Sequence, residues 1–389
     1  MKRLLVPLLL LSFLAACATP QTARLRASAS PLDPPVLELK DVPFFPQDEH
    51  QCGPAALATV LTYSGKAVTP DQITGQVYLP GRQGSVWVEL AAAARRQGRL
   101  AYPIAPQLEA LLLALQNGFP VLVLQNNGLG FFPIWHYAVV VGADRRRERF
   151  ILRSGTTERL EVPFATFERT WARANHWGLI AMDPTRLPDN LDSRMVVREL
   201  ALMERAGAIA EAQAGFSRAL QFWPEQKAAW LGLGSSSLQL GQPEKAEAAL
   251  RELVRRAPEY GPGLNNLADL LLKTGRPMEA LPLAEKAVAV LDIPATRATL
   301  QAASQALAPI QAEALPAQPG VVTEKVVVKP AKGVKKKVAK KKSRKAARPA
   351  AAKAAAKPGA KTATPAPAPK LPAARAAGKT ADAGGVPSR

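Results

Sequence analysis

Cysteine and histidine are scarce in this chain of 389 residues, which contains two Cys and three His. Two cysteines exclude a disulfide-dense scaffold and any zinc site built from four Cys. The sequence also lacks a phosphate-binding loop, a dinucleotide fingerprint and a cluster of metal-ligand residues. We therefore expect neither a cofactor nor a bound metal, and the few Cys and His side chains become the candidates for chemistry.

The hydrophobic stretch at the N-terminus, residues 4–14, is too short to span a bilayer of about 30 Å as a helix. It follows Lys2 and Arg3 and precedes two Ala residues, which is the pattern of a secretory signal peptide over residues 1–16. The segment ending at Cys17 resembles a bacterial lipobox, which implies cleavage before Cys17 and its acylation, palmitate included. The alternative is an ordinary signal peptide in which this Cys has no function.

The lipobox resemblance has two consequences. Residue 18 is Ala rather than Asp, so similarity to sorted lipoproteins favours the outer membrane of a bacterial cell envelope, with the protein facing the periplasm. Several acyl chains on Cys17 would anchor it stably there. Cys52 then becomes the only thiol of the mature chain, and a lone thiol in an oxidising compartment is a liability unless it is buried or used.

Acidic and aromatic residues are nearly absent from the C-terminal end. Residues 321–389 contain 15 Lys and 4 Arg against one Asp and one Glu, so this stretch carries 17 of the 20 net positive charges of the chain. It cannot bury enough apolar surface to offset the entropy of ordering, and we predict a disordered tail over residues 310–389. Without aromatic side chains for base stacking, and after secretion, nucleic acid is not the expected partner. The expected partners of the tail are anionic envelope polymers. The alternative is that the tail is a solvated spacer.

The rest of the chain divides by composition and periodicity. Residues 17–37 are rich in Ala, Ser and Pro and read as a tether. Residues 38–184 form a first domain, with helical periodicity after Cys52 and over residues 86–96 and 108–116. Short β-rich runs follow at residues 121–124, 137–141 and 150–152, the second ending in a Gly turn. Helices that precede strands predict an α+β fold rather than a parallel α/β sheet.

Residues 193–309 are predicted to be an all-α repeat region with a terminal helix. Positions 34 residues apart carry the same small residues, namely Gly207, Gly241 and Gly275, and Ala212, Ala246 and Ala280. This pattern resembles tetratricopeptide repeats, in which paired helices stack into a concave surface that binds peptides or proteins. We expect a partner protein on these repeats; an irregular helical bundle is the alternative.

The most informative segment is residues 44–57, in which Cys52 directly precedes Gly53, Pro54 and an Ala/Leu-rich helix. Pro is favoured in the first turn of a helix, so Cys52 is placed at a helix N-terminus. Free N–H groups and the helix dipole stabilise a thiolate there, so we predict a thiol pKa well below the ordinary value of about 8.5. A nucleophilic Cys also needs a base.

His50, His136 and His176 are the possible bases. His136 opens an apolar run that reads as a buried strand, which places its ring at the mouth of a cleft. His50 is too close to Cys52 in sequence for facing elements, and His176 lies near the end of the domain, where a structural role is expected. We predict a Cys52–His136 dyad.

The segment Gln-x-x-x-x-Cys-Gly-Pro-Ala and the later Trp-His-Tyr-Ala-Val-Val-Val-Gly resemble the bacteriocin-processing cysteine peptidases of the papain superfamily, over residues 40–183. The resemblance implies a papain-like fold, peptidase activity on a protein or peptide, and a Gln upstream of the Cys in the oxyanion hole. Gln47 matches that position, and Gln51 is the weaker candidate because it adjoins Cys52.

One position departs from the family pattern. Relatives carry an Asp on the strand after the His, whereas this chain has Ser154, which could accept a hydrogen bond from His136 more weakly. Asp144 follows the His strand too closely to replace it. The leading hypothesis is therefore a lipid-anchored cysteine hydrolase whose repeats position a protein substrate. The alternative is a non-catalytic peptide-binding or assembly lipoprotein on a degenerate protease fold.

Overall fold

A computed structural model describes residues 19–28, 35–47, 51–82 and 84–314 of the chain. The predicted signal peptide, Cys17, His50 and the tail beyond residue 314 lie outside the described residues. Within the described ranges, no helix combines the length and the apolar character that crossing a bilayer requires.

The first domain is built on one antiparallel sheet of seven strands, which confirms the predicted α+β class. Six strands follow the order β4-β9-β5-β6-β7-β8, and β1 pairs with the C-terminal end of β6. The strands are β1 (Val36–Glu38), β4 (Leu100–Pro103), β5 (Val121–Asn126), β6 (Trp135–Asp144), β7 (Arg149–Ser154), β8 (Thr157–Pro163) and β9 (Gly178–Met182). A separate hairpin joins β2 (Tyr78–Leu79) to β3 (Gly84–Ser85).

Helices cover both faces of the sheet. Three of them pack against one face, α2 (Cys52–Tyr63), α3 (Pro70–Val77) and α4 (Trp87–Arg96). The opposite face carries α5 (Leu108–Gln116) and α6 (Phe164–Ala172). Alternate residues of β5 and β6 enter the two cores, which is why both strands read as continuous apolar runs.

Strand β6 is longer than the apolar run predicted. It continues through Gly142 to Asp144, so the predicted Gly turn at its end is wrong. A Cβ atom on Gly142 would lie 2.7 Å from the carbonyl oxygen of Leu37 in β1, so the glycine permits a close approach of the neighbouring strand. At the other end, pairing of β6 with β7 begins only at Val139, two residues beyond Tyr137.

The N-terminal segment is not a simple tether. Residues Pro20–Ala27 form helix α1, in which Leu25 is buried in the core beside α5 and α6. The buried carboxylate of Glu168 in α6 accepts hydrogen bonds from the backbone N–H groups of Gln21 at 2.9 Å and Thr22 at 2.7 Å. These groups are the unpaired donors of the helix N-terminus, and the tertiary contact therefore stabilises a helix that has little apolar surface of its own.

The repeat region consists of seven helices, and the predicted 34-residue spacing is confirmed. Three antiparallel pairs begin 34 residues apart, and a terminal helix follows them to residue 314, five residues further than predicted. The helices are α7 (Ser193–Arg205), α8 (Ile209–Phe222), α9 (Lys227–Gln239), α10 (Pro243–Arg256), α11 (Gly261–Lys273), α12 (Pro277–Val290) and α13 (Pro294–Ala314). The three repeated glycines all adopt positive φ, between 68° and 91°, at the turns within the pairs.

The first repeat packs directly on the sheet domain. One continuous core runs from Ile180 and Met182 of β9 to Leu200 of α7 and Phe216 of α8. An ion pair of 2.7 Å joins Arg95 of α4 to Glu199, whose side chain is 1% exposed. Glu199 also pairs with Arg198 of its own helix at 3.1 Å, so one buried carboxylate links α4 to α7 through two guanidinium groups.

The repeat packing gives a stability prediction at Ala246, which is fully buried where α10 crosses its neighbours. Ala246→Trp should overpack this crossing and lower the free energy of unfolding by about 1–3 kcal/mol. The matched control is Ala248→Trp on the exposed face of the same helix, which should leave the melting temperature almost unchanged. Equal melting temperatures for the two variants would mean that the repeat register is wrong.

Candidate active site

Cys52 is the first residue of α2, as the sequence predicts. Its sulfur is close to three backbone N–H groups, those of Cys52 itself, Gly53 and Tyr137, and each of them lowers the pKa of the thiol. Burial acts in the opposite direction and is the larger effect, so the pKa of Cys52 is raised above its ordinary value. The prediction of a lowered pKa is therefore wrong for the free protein, because a helix N-terminus does not compensate for the loss of solvation.

His136 is the second residue of β6, directly before the Tyr137 whose N–H stabilises the Cys52 thiolate. Its Nε2 atom lies 2.8 Å from the hydroxyl oxygen of Ser154, the last residue of β7. Burial lowers the pKa of His136, since a charged imidazolium is poorly solvated there. With Nε2 engaged by Ser154, Nδ1 is the ring nitrogen left for another partner.

The two shifts together describe a neutral site. A thiol pKa above its ordinary value and an imidazole pKa below 6.5 keep both groups uncharged around pH 7. The start of α2 supplies the thiol, and the start of β6 supplies one of its N–H donors together with a neutral imidazole able to accept a proton. These are the components of nucleophilic catalysis with general-base assistance.

Gln47 lies on the same side of the domain. Its backbone N–H donates to the carbonyl of Gly155 at 3.1 Å, one residue after Ser154. Its side-chain oxygen Oε1 is buried without a hydrogen-bond partner. Gln51, the weaker candidate, is the residue preceding α2 and makes no side-chain capping bond to that helix.

The remaining candidates do not join this site. The ring of His176 contacts the side chain of Gln21 at 3.2 Å and lies edge-on to Trp171, with ring centroids 4.9 Å apart, which is a structural role. Asp144 is at the far end of β6, eight residues from His136 and so about 26 Å away at the rise of an extended strand. His50 lies outside the described residues.

Two neighbours of Cys52 were not identified from the sequence. Ser85 of β3 has a buried hydroxyl without a hydrogen-bond partner, and a Cβ atom on Gly53 would lie 2.8 Å from that hydroxyl. Tyr137 donates its own hydroxyl to the carbonyl of Ser85 at 3.3 Å. The only sequence signal for this arrangement is Gly53, whose missing side chain lets the β2–β3 hairpin approach the start of α2. In the described part of the chain, no three His, Cys, Asp or Glu side chains are grouped as metal ligands.

The pKa shifts predict how Cys52 responds to pH. In a Cys17→Ser background, where Cys52 is the only thiol, its alkylation by iodoacetamide should accelerate at a higher pH than that of an ordinary exposed thiol, because burial raises the pKa of Cys52. Any hydrolysis that needs neutral His136 should persist down to a pH below 6.5, since the lowered pKa delays protonation. Alkylation already at its plateau at pH 7 would instead indicate a thiolate–imidazolium pair.

Comparisons with known proteins agree with this architecture. The model of the Peptidase_C39-like family matches residues 39–178, and a tetratricopeptide-repeat model matches residues 204–262. A search of the curated proteins finds no match.

Among solved structures, a C39-like peptidase from Bacillus anthracis is 19% identical, covers 38% of this chain and 97% of its own, and has a TM-score of 0.33. The Sgt2 repeat domain of Aspergillus fumigatus is 16% identical, with 34% and 91% covered and a TM-score of 0.30. The first repeat domain of human RPAP3 is 16% identical, with 31% and 95% covered and a TM-score of 0.29. The chain therefore carries a domain of the peptidase C39-like family, followed by tetratricopeptide repeats.

Proposed function

We propose that this chain is a cysteine hydrolase, and specifically a peptidase, with Cys52 as nucleophile and His136 as base. The observation that carries the proposal is the 2.8 Å contact between His136 Nε2 and Ser154, made on the strand end whose Tyr137 N–H faces the Cys52 sulfur. When Nε2–H donates to Ser154, this contact leaves Nδ1 unprotonated, as a base for the thiol requires.

The reaction begins from the neutral pair. As the Cys52 sulfur attacks the scissile carbonyl carbon, its proton moves to Nδ1 of His136, and the carbonyl electrons move to the oxygen. The backbone N–H of Cys52 and the side-chain amide of Gln47 donate to that oxyanion. The C–N bond then breaks as His136 gives its proton to the leaving amine, and the acyl group stays on Cys52 as a thioester. Water attacks the thioester carbonyl while His136 takes one of its protons. The C–S bond breaks, the carboxylic acid product leaves, and the proton on His136 returns to the Cys52 sulfur.

Ser154 takes the place of the carboxylate that orients the base in related peptidases. Its hydroxyl oxygen can accept a hydrogen bond from Nε2–H and so fix the tautomer, but a hydroxyl stabilises an imidazolium less than a carboxylate does. This weaker partner is the observation that favours the second candidate function, a non-catalytic peptide-binding or assembly protein on the same fold. Hydrolysis itself separates the two, because both would bind peptides.

The repeats are proposed to hold a protein or peptide that the first domain acts on. A cavity of about 470 Å³ lies along α7 and α9, lined by Arg194, Arg198 and Glu204 among others. Ser235 donates to the Glu204 carboxylate at 2.7 Å, and burial raises the pKa of that group. Apolar side chains such as Val197, Phe216 and Leu231 line the rest of the cavity, so it is suited to an extended peptide with both polar and apolar side chains.

Location and anchoring are also proposals. The sequence supports a lipid anchor on Cys17 in the bacterial outer membrane, with the body of the protein in the periplasm and the basic tail against anionic envelope polymers rather than nucleic acid. If so, the intact mass of the wild-type protein purified from cells should include several acyl chains on Cys17, and Cys17→Ser should lack them. An unmodified Cys17 in the mature wild-type protein would contradict the anchor.

The experiment that tests the proposed activity is incubation of the Cys17→Ser chain with a diverse peptide library, followed by mass spectrometry of the new termini. Cleavage that disappears with Cys52→Ala supports a peptidase. An intact library, together with retention of particular peptides by the protein, would support the non-catalytic alternative.

A further inference from the structure

The loop between β5 and β6 exposes a dense set of large apolar side chains beside the candidate site. The exposed fractions are 58% for Leu129, 84% for Phe131, 74% for Phe132, 58% for Ile134 and 54% for Trp135, the residue before His136. Between residues 109 and 144 the sequence contains no Asp, Glu, Lys or Arg. Contiguous exposed apolar patches mark interaction surfaces rather than ordinary protein surface.

Hydrogen bonds within the loop hold it in this conformation. The side-chain oxygen of Asn126 accepts hydrogen bonds from the N–H groups of Gly128 and Ile134, both at 2.9 Å. Leu129 and Phe132 exchange backbone hydrogen bonds of 3.0 and 3.1 Å. A Cβ atom on Gly128 would lie 2.2 Å from the carbonyl oxygen of Phe132, so only glycine fits there. The apolar side chains are therefore presented by a closed hairpin and are kept from turning into the core.

The degree of exposure indicates what could cover the loop. A side chain that lines a peptide groove is partly enclosed by the groove walls, whereas Phe131 and Phe132 project with more than 70% of their surface exposed. Only an occupant that surrounds a projecting tip can bury such side chains. The interfacial region of a bilayer does so, and it favours Trp and Phe.

The position of the N-terminal anchor points to the same occupant. Helix α1 is fixed to the domain through Gln21 and Thr22, and only three residues separate Cys17 from Gln21. At about 3.5 Å per residue, Cys17 is therefore within about 14 Å of Gln21. An acylated Cys17 would hold this end of the domain against the membrane surface.

The anchor end and the loop are neighbours in the fold. Gln21 contacts the ring of His176 at 3.2 Å, and the guanidinium group of Arg173 donates to the carbonyl of Asn126, at the base of the loop, at 2.9 Å. The same short segment after α6 therefore binds both α1 and the start of the loop.

We propose that the hairpin formed by residues 128–135 inserts into the bilayer interface beside the lipid anchor and holds the His136 end of the sheet at the membrane surface. The anchor belongs to the proposed function, but insertion of the hairpin does not require the anchor or peptidase activity. Substrates that are attached to the membrane or lie on it would then have direct access to Cys52.

The test uses the full chain with Cys17→Ser, so that no acyl group contributes, and phosphatidylcholine vesicles at high salt, so that the basic tail does not contribute. The parent protein should sediment with the vesicles. Phe131→Ser combined with Phe132→Ser should lower the partition coefficient about tenfold or more, because each exposed Phe contributes a large apolar area. Leu129→Ser should give a smaller decrease. Met278→Ser, which removes a side chain 67% exposed on α12, is the matched control and should have no effect.

Three results would overturn the proposal. The first is that the parent does not bind vesicles, and the second is that the parent and the double Phe variant bind them equally. The third is that the double variant changes from dimer to monomer without a change in vesicle binding, which would make a second copy of this chain the occupant. Hydrolysis of a soluble peptide by the same proteins is measured in parallel. Its failure would affect the proposed peptidase but not the vesicle result.

Discussion

Replacing Cys52 by Ala or His136 by Ala is expected to reduce peptide hydrolysis by roughly 10⁴- to 10⁶-fold, the loss typical of a nucleophile or its paired base. The physical reason is the neutral state of the site. Because burial keeps the Cys52 thiol protonated, the sulfur becomes a good nucleophile only when His136 removes its proton during attack. The two substitutions should therefore cost similar amounts and should not be additive.

The matched control for His136→Ala is His176→Ala. His176 also has a pKa lowered by burial, and it contacts Gln21 in α1 rather than Ser154. Its removal should lower stability through the loss of that contact but leave the hydrolysis rate within a small factor of wild type. Comparable losses of activity from both substitutions would mean that His136 acts through the fold and not as the base.

The second large effect is expected at Gln47. Gln47→Ala should lower kcat by about 10²–10³, the usual loss of one oxyanion-hole donor, while leaving the pH profile of Cys52 alkylation nearly unchanged. The half-buried Gln47 lies near the end of β7, and its buried side-chain oxygen has no partner. Its amide group can therefore turn toward a substrate without breaking an existing bond of that oxygen.

Gln51→Ala is the control for this prediction, because Gln51 is the same residue type, directly precedes Cys52 and makes no side-chain capping bond to α2. Its kcat should match that of wild type. A large loss at Gln51 with none at Gln47 would exchange their roles, and a loss at neither position would remove a side-chain amide from the mechanism.

The sequence predicted the elements whose residues face the core with the regular period of a helix or a strand. Helices α2, α4 and α5, strands β5 to β7 and the repeats were predicted because burial imposes the helical or strand period on their residues. The Cys52 and His136 segments could be identified because each combines a chemical group with an element end. The contact of His136 with Ser154 was anticipated only as a possibility, at the position where the family resemblance implies an Asp.

Features that depend on distant contacts were not predictable in this way. Helix α1 contains one buried aliphatic side chain, Leu25, and owes its stability to the carboxylate of Glu168, 146 residues beyond Thr22. The sequence places Cys52 at a helix N-terminus but does not reveal how deeply it is buried, and burial determines the sign of its pKa shift. Gly142 reads as a turn because its close contact with β1 is not visible along the chain.

The most direct measurement is mass spectrometry of the Cys17→Ser chain during reaction with an activated peptide ester, quenched in acid to preserve a thioester. The account predicts one acyl group per molecule, located on the peptide that contains Cys52. It should form in wild type and in His176→Ala and be lost or greatly slowed in His136→Ala. Acylation of Cys52 at the same rate with and without His136, or no acylation of Cys52 at all, would contradict the assignment of this pair as the catalytic centre.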